Sequence, residues 1–172
     1  ERIQTQSKVI AQLKSLMQSL REMIFKQQLQ FKDDFGNNFP NWEVKKLRDI
    51  FSISAGGDIQ KINTSKIQTK IFKYPIYANS EEKKGLYGYS DLYKVEENTI
   101  TVTGRGNIGI AIGRNHKYYP IVRLLVLKPK LEVSIIFFEN QINLLNIYKE
   151  STGVPQLTAP QISTYFVKVP CL

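Results

Sequence analysis

An apolar residue at every seventh position constrains the start of this chain more than any other feature of it. Ile3, Ile10, Met17, Ile24 and Phe31 share one heptad position. Leu13 and Leu20 fill the intervening one, and Gln6 and Gln27 place amides in that second series. This is the seam of a coiled coil, in which apolar side chains of facing helices interlock. Val9, Leu16 and Met23 add a neighbouring row, so the stripe is wider than a strict seam. Neither Gly nor Pro occurs before Gly36, and the spacing predicts one helix from residue 1 to about residue 32. At ~1.5 Å per residue such a helix is about 45 Å long, more than one face of a small domain covers. It either packs on its own domain or binds a partner helix; its length and its need for a covering surface favour the partner. The candidate interface is then Ile3, Ile10, Leu13, Met17, Leu20 and Ile24.

The stretch Asp33, Asp34, Gly36, Asn37, Asn38, Pro40 is turn chemistry and ends the helix. The chain therefore divides into a helical arm, 1–36, and a second domain, 37–172. That domain reads as mostly β. "TKIFKYPIYAN" is a short strand interrupted by Pro75, and "TITVTGRG", "IGIAIGR" and "PIVRLLVLKP" are β-branched runs punctuated by Gly and Pro. "LEVSIIFFENQINLLNIYKES" has helical spacing and is stopped at Ser151–Gly153. "APQISTYFVKVP" gives a helical turn entered at Pro160 and then a final strand. Trp42, Phe137 and Phe138 are core candidates. The fold class expected is α+β: a long coiled-coil-type helix, then a β-rich domain with one or two helices.

Within "ITVTGRGNIGIAI", Gly104, Gly106 and Gly109 have the G-x-G-x-x-G spacing of a dinucleotide-binding turn. That turn requires its third glycine to open a helix facing the pyrophosphate. Here Gly109 lies in a strand-like run and no βαβ unit surrounds it, so no cofactor is expected. The glycines instead suit a tight connection between two strands, with Arg105 and Asn107 at its tip. Arg and Asn are the side chains that pair bidentately with guanine and adenine edges. A plain hairpin with solvated polar residues fits the same pattern.

Composition narrows the classes. The formal charge of +9, at a pI near 9.6, makes a polyanion partner plausible, although a solvated basic surface produces the same number. A single cysteine, Cys171, allows no internal disulfide and suits a reducing, cytoplasmic compartment. With one cysteine and one histidine, His116, no transition-metal site is expected. No apolar run is long enough to span a membrane. The chain starts at Glu1 without a methionine and reads as a piece of something longer. Phosphate-loop, nucleophile-elbow and amino-methyltransferase motifs are missing, and "WEVK" is too short a pattern to argue for a nuclease. Basic residues alternate with aromatics at Lys73–Tyr74, at Lys83–Lys84 before Tyr87 and Tyr89, and from Arg114 to Tyr119. Each is either a solvated strand face or a surface for phosphates and sugars.

Four segments in order, "LQFKDDFGNNFPNWEVKKLRDIFSISAGG", "YPIYANSEEKKGLYGY", "TVTGRGNIGIAIGR" and "STGVPQLTAPQISTYFVKVPCL", resemble the DNA-specificity subunit of Type I restriction–modification enzymes. The resemblance implies the second half of such a subunit, a spacer helix followed by one target-recognition domain. It implies recognition of one half of a split double-stranded DNA site without catalysis, for partner methyltransferase and restriction subunits held by the helices. The family's pattern continues past "VPCL" into another long helix, so the chain is either part of a longer subunit or a half-subunit that dimerises through its long helix. On this reading Lys61, Lys84, Arg114 and Lys117 meet phosphates, and Arg105 and Asn107 meet base edges. Gly56, Gly57, Tyr77, Tyr87 and Tyr89 form neighbouring recognition loops, flanked by His116, Tyr118 and Tyr119. Gln156 and Thr158 match a motif near the end of the family's domain; a helix cap before Pro160 explains them equally well. A coiled-coil adaptor whose β domain binds protein or glycan is the rival from another class.

Overall fold

The computed structural model describes residues 2–58, 63–147 and 156–170. Two compact units result, one formed by residues 1–43 with 168–172 and the other by residues 44–167.

In the first unit the helix α1 runs Arg2–Phe25, shorter than the sequence predicts. Its end is set by Gln27, which takes a left-handed conformation (φ 57°). Gln28 N then donates to Met23 O at 2.8 Å, and Gln27 N donates to Ile24 O at 2.9 Å. These are the two bonds of a Schellman C-cap, here built on a glutamine where glycine is usual. Gln27 and Phe31, both on the heptad series, therefore lie beyond the helix. The turn chemistry after it is as expected. Asp33 Oδ1 accepts from Phe35 N at 2.9 Å and Asn37 N at 2.8 Å, and the Asn37 bonds hold its carboxyl below the usual carboxylate range. Trp42 is half-buried, edge-on to Phe25 with ring centroids 6.1 Å apart.

The second unit holds two four-stranded sheets. The first has the order β2-β9-β6-β7 and is antiparallel throughout: β2 is Phe51–Ala55, β9 Leu125–Pro129, β6 Thr99–Val102 and β7 Ala111–Arg114. All four residues of β6 are buried, because it is paired on both edges and covered on both faces. The second sheet has the order β3-β5-β4-β8. Its strands are β3 (Thr64–Ser65), β5 (Leu86–Ser90), β4 (Tyr74–Tyr77) and β8 (Tyr119–Pro120), with β4 and β8 parallel. The remaining strands are β1 (Glu43–Lys46) and β10 (Phe166–Val169). Between β1 and β2 lies the single turn α2 (Leu47–Ile50), with Leu47 and Ile50 buried.

The helix α3 is only Ile135–Ile142, against the run from 131 to 151 that spacing suggests. Ser134 starts it, its Oγ accepting from Phe137 N at 3.3 Å; a serine N-cap explains why Leu131–Val133 stay outside. Residues 148–155, which include the expected stop at Ser151–Gly153, are outside the described set. Phe138 packs edge-on to Phe51 with centroids 5.2 Å apart, while Phe137 is half-buried. The short helix α4 (Ala159–Ser163) follows Thr158, and β10 closes the order, as expected.

Candidate nucleic-acid interface

The glycine motif is a hairpin loop. Val102 pairs with Ala111, so β6 and β7 are antiparallel neighbours, and residues 103–110 connect them. Thr103 N donates to Ile110 O at 3.0 Å and Gly109 N to Thr103 O at 2.9 Å, which fixes the neck. Gly109 leads into a strand and not a helix, which removes the dinucleotide reading. Gly106 (φ +68°) occupies a backbone region that L side chains avoid, while Gly104 is needed for space: a Cβ there would stand 2.8 Å from Leu157 O.

The turn after β4 braces this loop. Asn79 Oδ1 accepts from Gly104 N at 2.7 Å, and the Asn79 amide donates to Val122 O. Asn107 donates its amide to the Glu81 carboxylate. Arg105 is half-buried; its Nη2 donates to Gln156 Oε1 at 3.2 Å, and its Nε is buried without a partner. Between the two loops lies a concavity of about 430 Å³ lined by Asn79, Ser80, Glu81, Glu82, Thr103, Arg105, Gly106 and Asn107. Two carboxylates share this hollow with one guanidinium, so it is not a simple basic groove. The cations Lys83 and Lys84 stand exposed on the same turn.

A second cluster lies beneath that turn. Arg114 stacks on Tyr77, its Cζ 3.6 Å from the ring centroid, and donates from Nε to Thr101 Oγ1 at 3.0 Å and from Nη2 to Lys84 O at 2.7 Å. Only 3% of Arg114 is exposed. Tyr118 is fully buried and shares a hydrogen bond of 3.0 Å with Thr99 Oγ1; burial pushes its hydroxyl up to about 12. Tyr77 shares a 2.9 Å bond with His116 Nε2, and burial raises its pKa as well. His116 is held below its usual value by burial and then by the Arg114 charge.

These placements correct several expectations. Arg114 is no surface phosphate contact, because its guanidinium is spent on Tyr77, Thr101 and Lys84. Tyr118 and Tyr77 are core side chains and belong to one cluster with Leu124 and Val126. Gly56 is buried, and a Cβ on it would lie 2.8 Å from the Pro120 carbonyl, so its reason is packing; Gly57 is exposed with open space around it. Thr158 is the N-cap of α4: its Oγ1 accepts from Gln161 N at 3.4 Å and its N–H donates to Gln161 Oε1 at 2.8 Å. Lys117 pairs with Glu96 at 3.0 Å, and that partner raises its pKa. Tyr87 is exposed with Lys66 Nζ 4.0 Å above its ring, and Tyr89 and Tyr119 are half-buried. Lys61 lies outside the described residues. Sequence reasoning missed Asn79 and Glu81. Their only signal was the turn composition of "ANSEE" after a strand.

The seam of α1 is uncovered from Ile3 to Leu20, while Ile24, the last residue of the expected interface, is half-buried. None of its residues is buried, and Ile3, Ile10, Leu13, Met17 and Leu20 are all exposed. No helix among the described residues is long and apolar enough to cross a membrane.

Comparisons with known proteins agree with this architecture. Two proteins of Mycoplasma pneumoniae named as type I specificity subunits are 32% identical over 151 residues and 31% identical over 180 residues. They match 86% and 99% of this chain and 45% and 50% of their own lengths, so the chain spans about half of each. The fold is similar to that of a Type I restriction-modification S subunit from M. genitalium, with a TM-score of 0.62 and 14% identity over 83% of this chain and 36% of that one. A chain from a study of type I R-M complex assembly and conformational transition gives a TM-score of 0.64 at 13% identity, covering 100% of this chain and 45% of that one. Residues 40–172 match the model of the Type I restriction modification DNA specificity domain, and the chain belongs to that family.

Proposed function

We propose that this chain reads one half of a split double-stranded DNA site for a Type I restriction–modification complex, and that methyl transfer and cleavage belong to partner subunits held through α1. The observation that carries this reading is the braced hairpin. It presents Arg105 and Asn107, the two side-chain types suited to guanine and adenine edges, at the rim of a hollow flanked by exposed Lys83 and Lys84. Both readers already hold partners inside the protein, Gln156 and Glu81. Binding therefore exchanges internal hydrogen bonds for bonds to bases. The buried, unpartnered Arg105 Nε is a donor that such an exchange would satisfy. Lysines on the turn supply sequence-independent attraction to phosphates. Uncovered seam residues on α1 support a helical partner, either another subunit or a second copy.

The test is selection of bound sequences from a random duplex pool, using this chain with its methyltransferase partner. Arg105→Ala should lose ~1–3 kcal/mol on the selected site and little on random duplex. Equal loss on both would make Arg105 a phosphate contact. The carboxylates in the hollow give the adaptor reading its footing, and failure to enrich any sequence would favour it.

A further inference from the structure

Three consecutive residues of the turn between β4 and β5 lie in the left-handed region: Lys83 (φ 48°), Lys84 (φ 55°) and Gly85 (φ 82°). Gly85 explains itself, since a Cβ there would come within 2.7 Å of Ala78 O. The two lysines do not. A non-glycine residue in this region costs ~1–2 kcal/mol, and lysine lacks the short polar side chain that lets Asn or Asp offset it. A chain selected for stability alone would place Gly or Asn at both positions. Strain of this kind persists only where surrounding contacts over-determine it, and it gathers at functional sites.

The contact from below is Arg114. Its Nη2 donates to Lys84 O at 2.7 Å, while Thr101 Oγ1 fixes its Nε at 3.0 Å and its Cζ lies over the Tyr77 ring, 3.6 Å from the centroid. From the rim, Lys84 N donates to Glu81 O at 3.1 Å and Ala78 N to Gly85 O at 2.9 Å. A buried guanidinium is expensive, and an apolar side chain would fill this place at less cost. What an apolar side chain cannot do is reach the Lys84 carbonyl and hold the turn in its strained form.

We infer that Arg114 is a positioning residue: from within the domain it locks the Lys83–Lys84 turn so that both ammonium groups stand outward at fixed places to receive two backbone phosphates of the duplex. The inference rests on the DNA-reading proposal. It separates Arg114 from Lys84, which the sequence alone groups together, Arg114 acting on DNA only through the backbone of the lysine turn.

The experiment compares wild type, Arg114→Met, the double variant Lys83→Ala/Lys84→Ala, and the combination of all three. Each is read by thermal melting, by amide exchange at residues 83–85, and by the salt dependence of affinity for random duplex. Each phosphate contact contributes about −0.9 to the slope of log affinity against log salt. Arg114→Met should melt cooperatively, exchange at least ~10-fold faster at Lys84 and Gly85, and lose up to about 1.8 of that slope, as the double-lysine variant does. Adding Arg114→Met to the double variant should change affinity no further. The inference is overturned if Arg114→Met keeps the wild-type slope, or if it weakens the lysine-free protein as much as it weakens wild type. Should Arg114→Met not fold, Thr101→Val removes the acceptor that aims Nε, together with the hydroxyl's 3.3 Å bond to Ile112 O within the β6–β7 hairpin; a smaller loss of slope with faster exchange at Lys84 and Gly85 supports the inference, and no change in either overturns it. Absence of DNA affinity in wild type itself would instead overturn the functional reading, and this inference with it.

Discussion

Replacing Gly104 with alanine separates the two reasons a hairpin can need glycine. A Cβ at residue 104 would stand 2.8 Å from Leu157 O, 3.3 Å from Arg123 O and 3.6 Å from the Leu125 side chain. Two of the three obstacles are backbone, and an ordinary C···O contact is about 3.3–3.6 Å, so relief requires the chain itself to move. That movement stretches one of the two bonds pinning the hairpin, Gly104 N to Asn79 Oδ1 at 2.7 Å or Leu157 N to Gly104 O at 2.8 Å. Overpacking costs ~1–3 kcal/mol and one weakened buried hydrogen bond about 1 more, giving about 2–4 kcal/mol in all. For a chain of this size that lowers Tm by roughly 4–16 °C. Two other glycines are built-in controls. Gly106 has open space but a φ of +68°, so Gly106→Ala should cost only the left-handed penalty of ~1–2 kcal/mol. Gly57 is exposed and uncrowded, and Gly57→Ala should stay within about 0.5 kcal/mol. Chemical and thermal unfolding of the three variants gives the order directly. The reasoning fails if Gly104→Ala is as mild as Gly57→Ala, or if Gly106→Ala is the worst of the three.

Leu20→Glu puts a charge into the uncovered seam of α1; sedimentation should show loss of association with a partner helix while the melting of the domain is unchanged. Protonation of His116 should cost stability. Asn115 Oδ1 can only accept, so Nδ1 carries the proton and Nε2 accepts from the Tyr77 hydroxyl, and an added proton turns that acceptor into a donor beside Arg114. Because its folded pKa lies below 6.5, this contribution is complete above that pH and is lost as the pH falls through the folded value. Tm measured between about pH 7.5 and 5 should therefore fall more for wild type than for His116→Gln.

How far the sequence could be read depended on the range of the forces involved. The seam of α1 and the turn at Asp33–Pro40 are local, set by residues within one or two turns of each other, and both were legible; the cap at Thr158 is equally local, but the sequence left it level with a DNA contact. The end of α1 was not, because glutamine carries no signal for the left-handed conformation that Gln27 takes. Nor was the fate of Arg114. In sequence it sits among His116, Lys117 and Tyr119 like any basic loop residue. Its burial depends on Thr101 in the neighbouring strand and on Lys84, thirty residues earlier. Tyr118 was misread for the same reason, since its hydroxyl finds Thr99 only after β6 is in place.

The same distinction bears on the proposed reading of DNA. If Arg105 and Asn107 each exchange an internal partner for a base edge, the free energy of reading is a difference between two hydrogen-bonded states. Gln156 and Glu81 then set that difference as much as the readers do. A neutral amide releases a guanidinium more readily than a carboxylate would, and Glu81 both holds the Asn107 amide and repels an approaching phosphate. On that proposal the unit of recognition is a pair, one reader with the residue that holds it. The members of the two pairs lie 51 and 26 positions apart in the chain, so scanning a loop for Arg and Asn yields the proposed readers but not the residues that hold them.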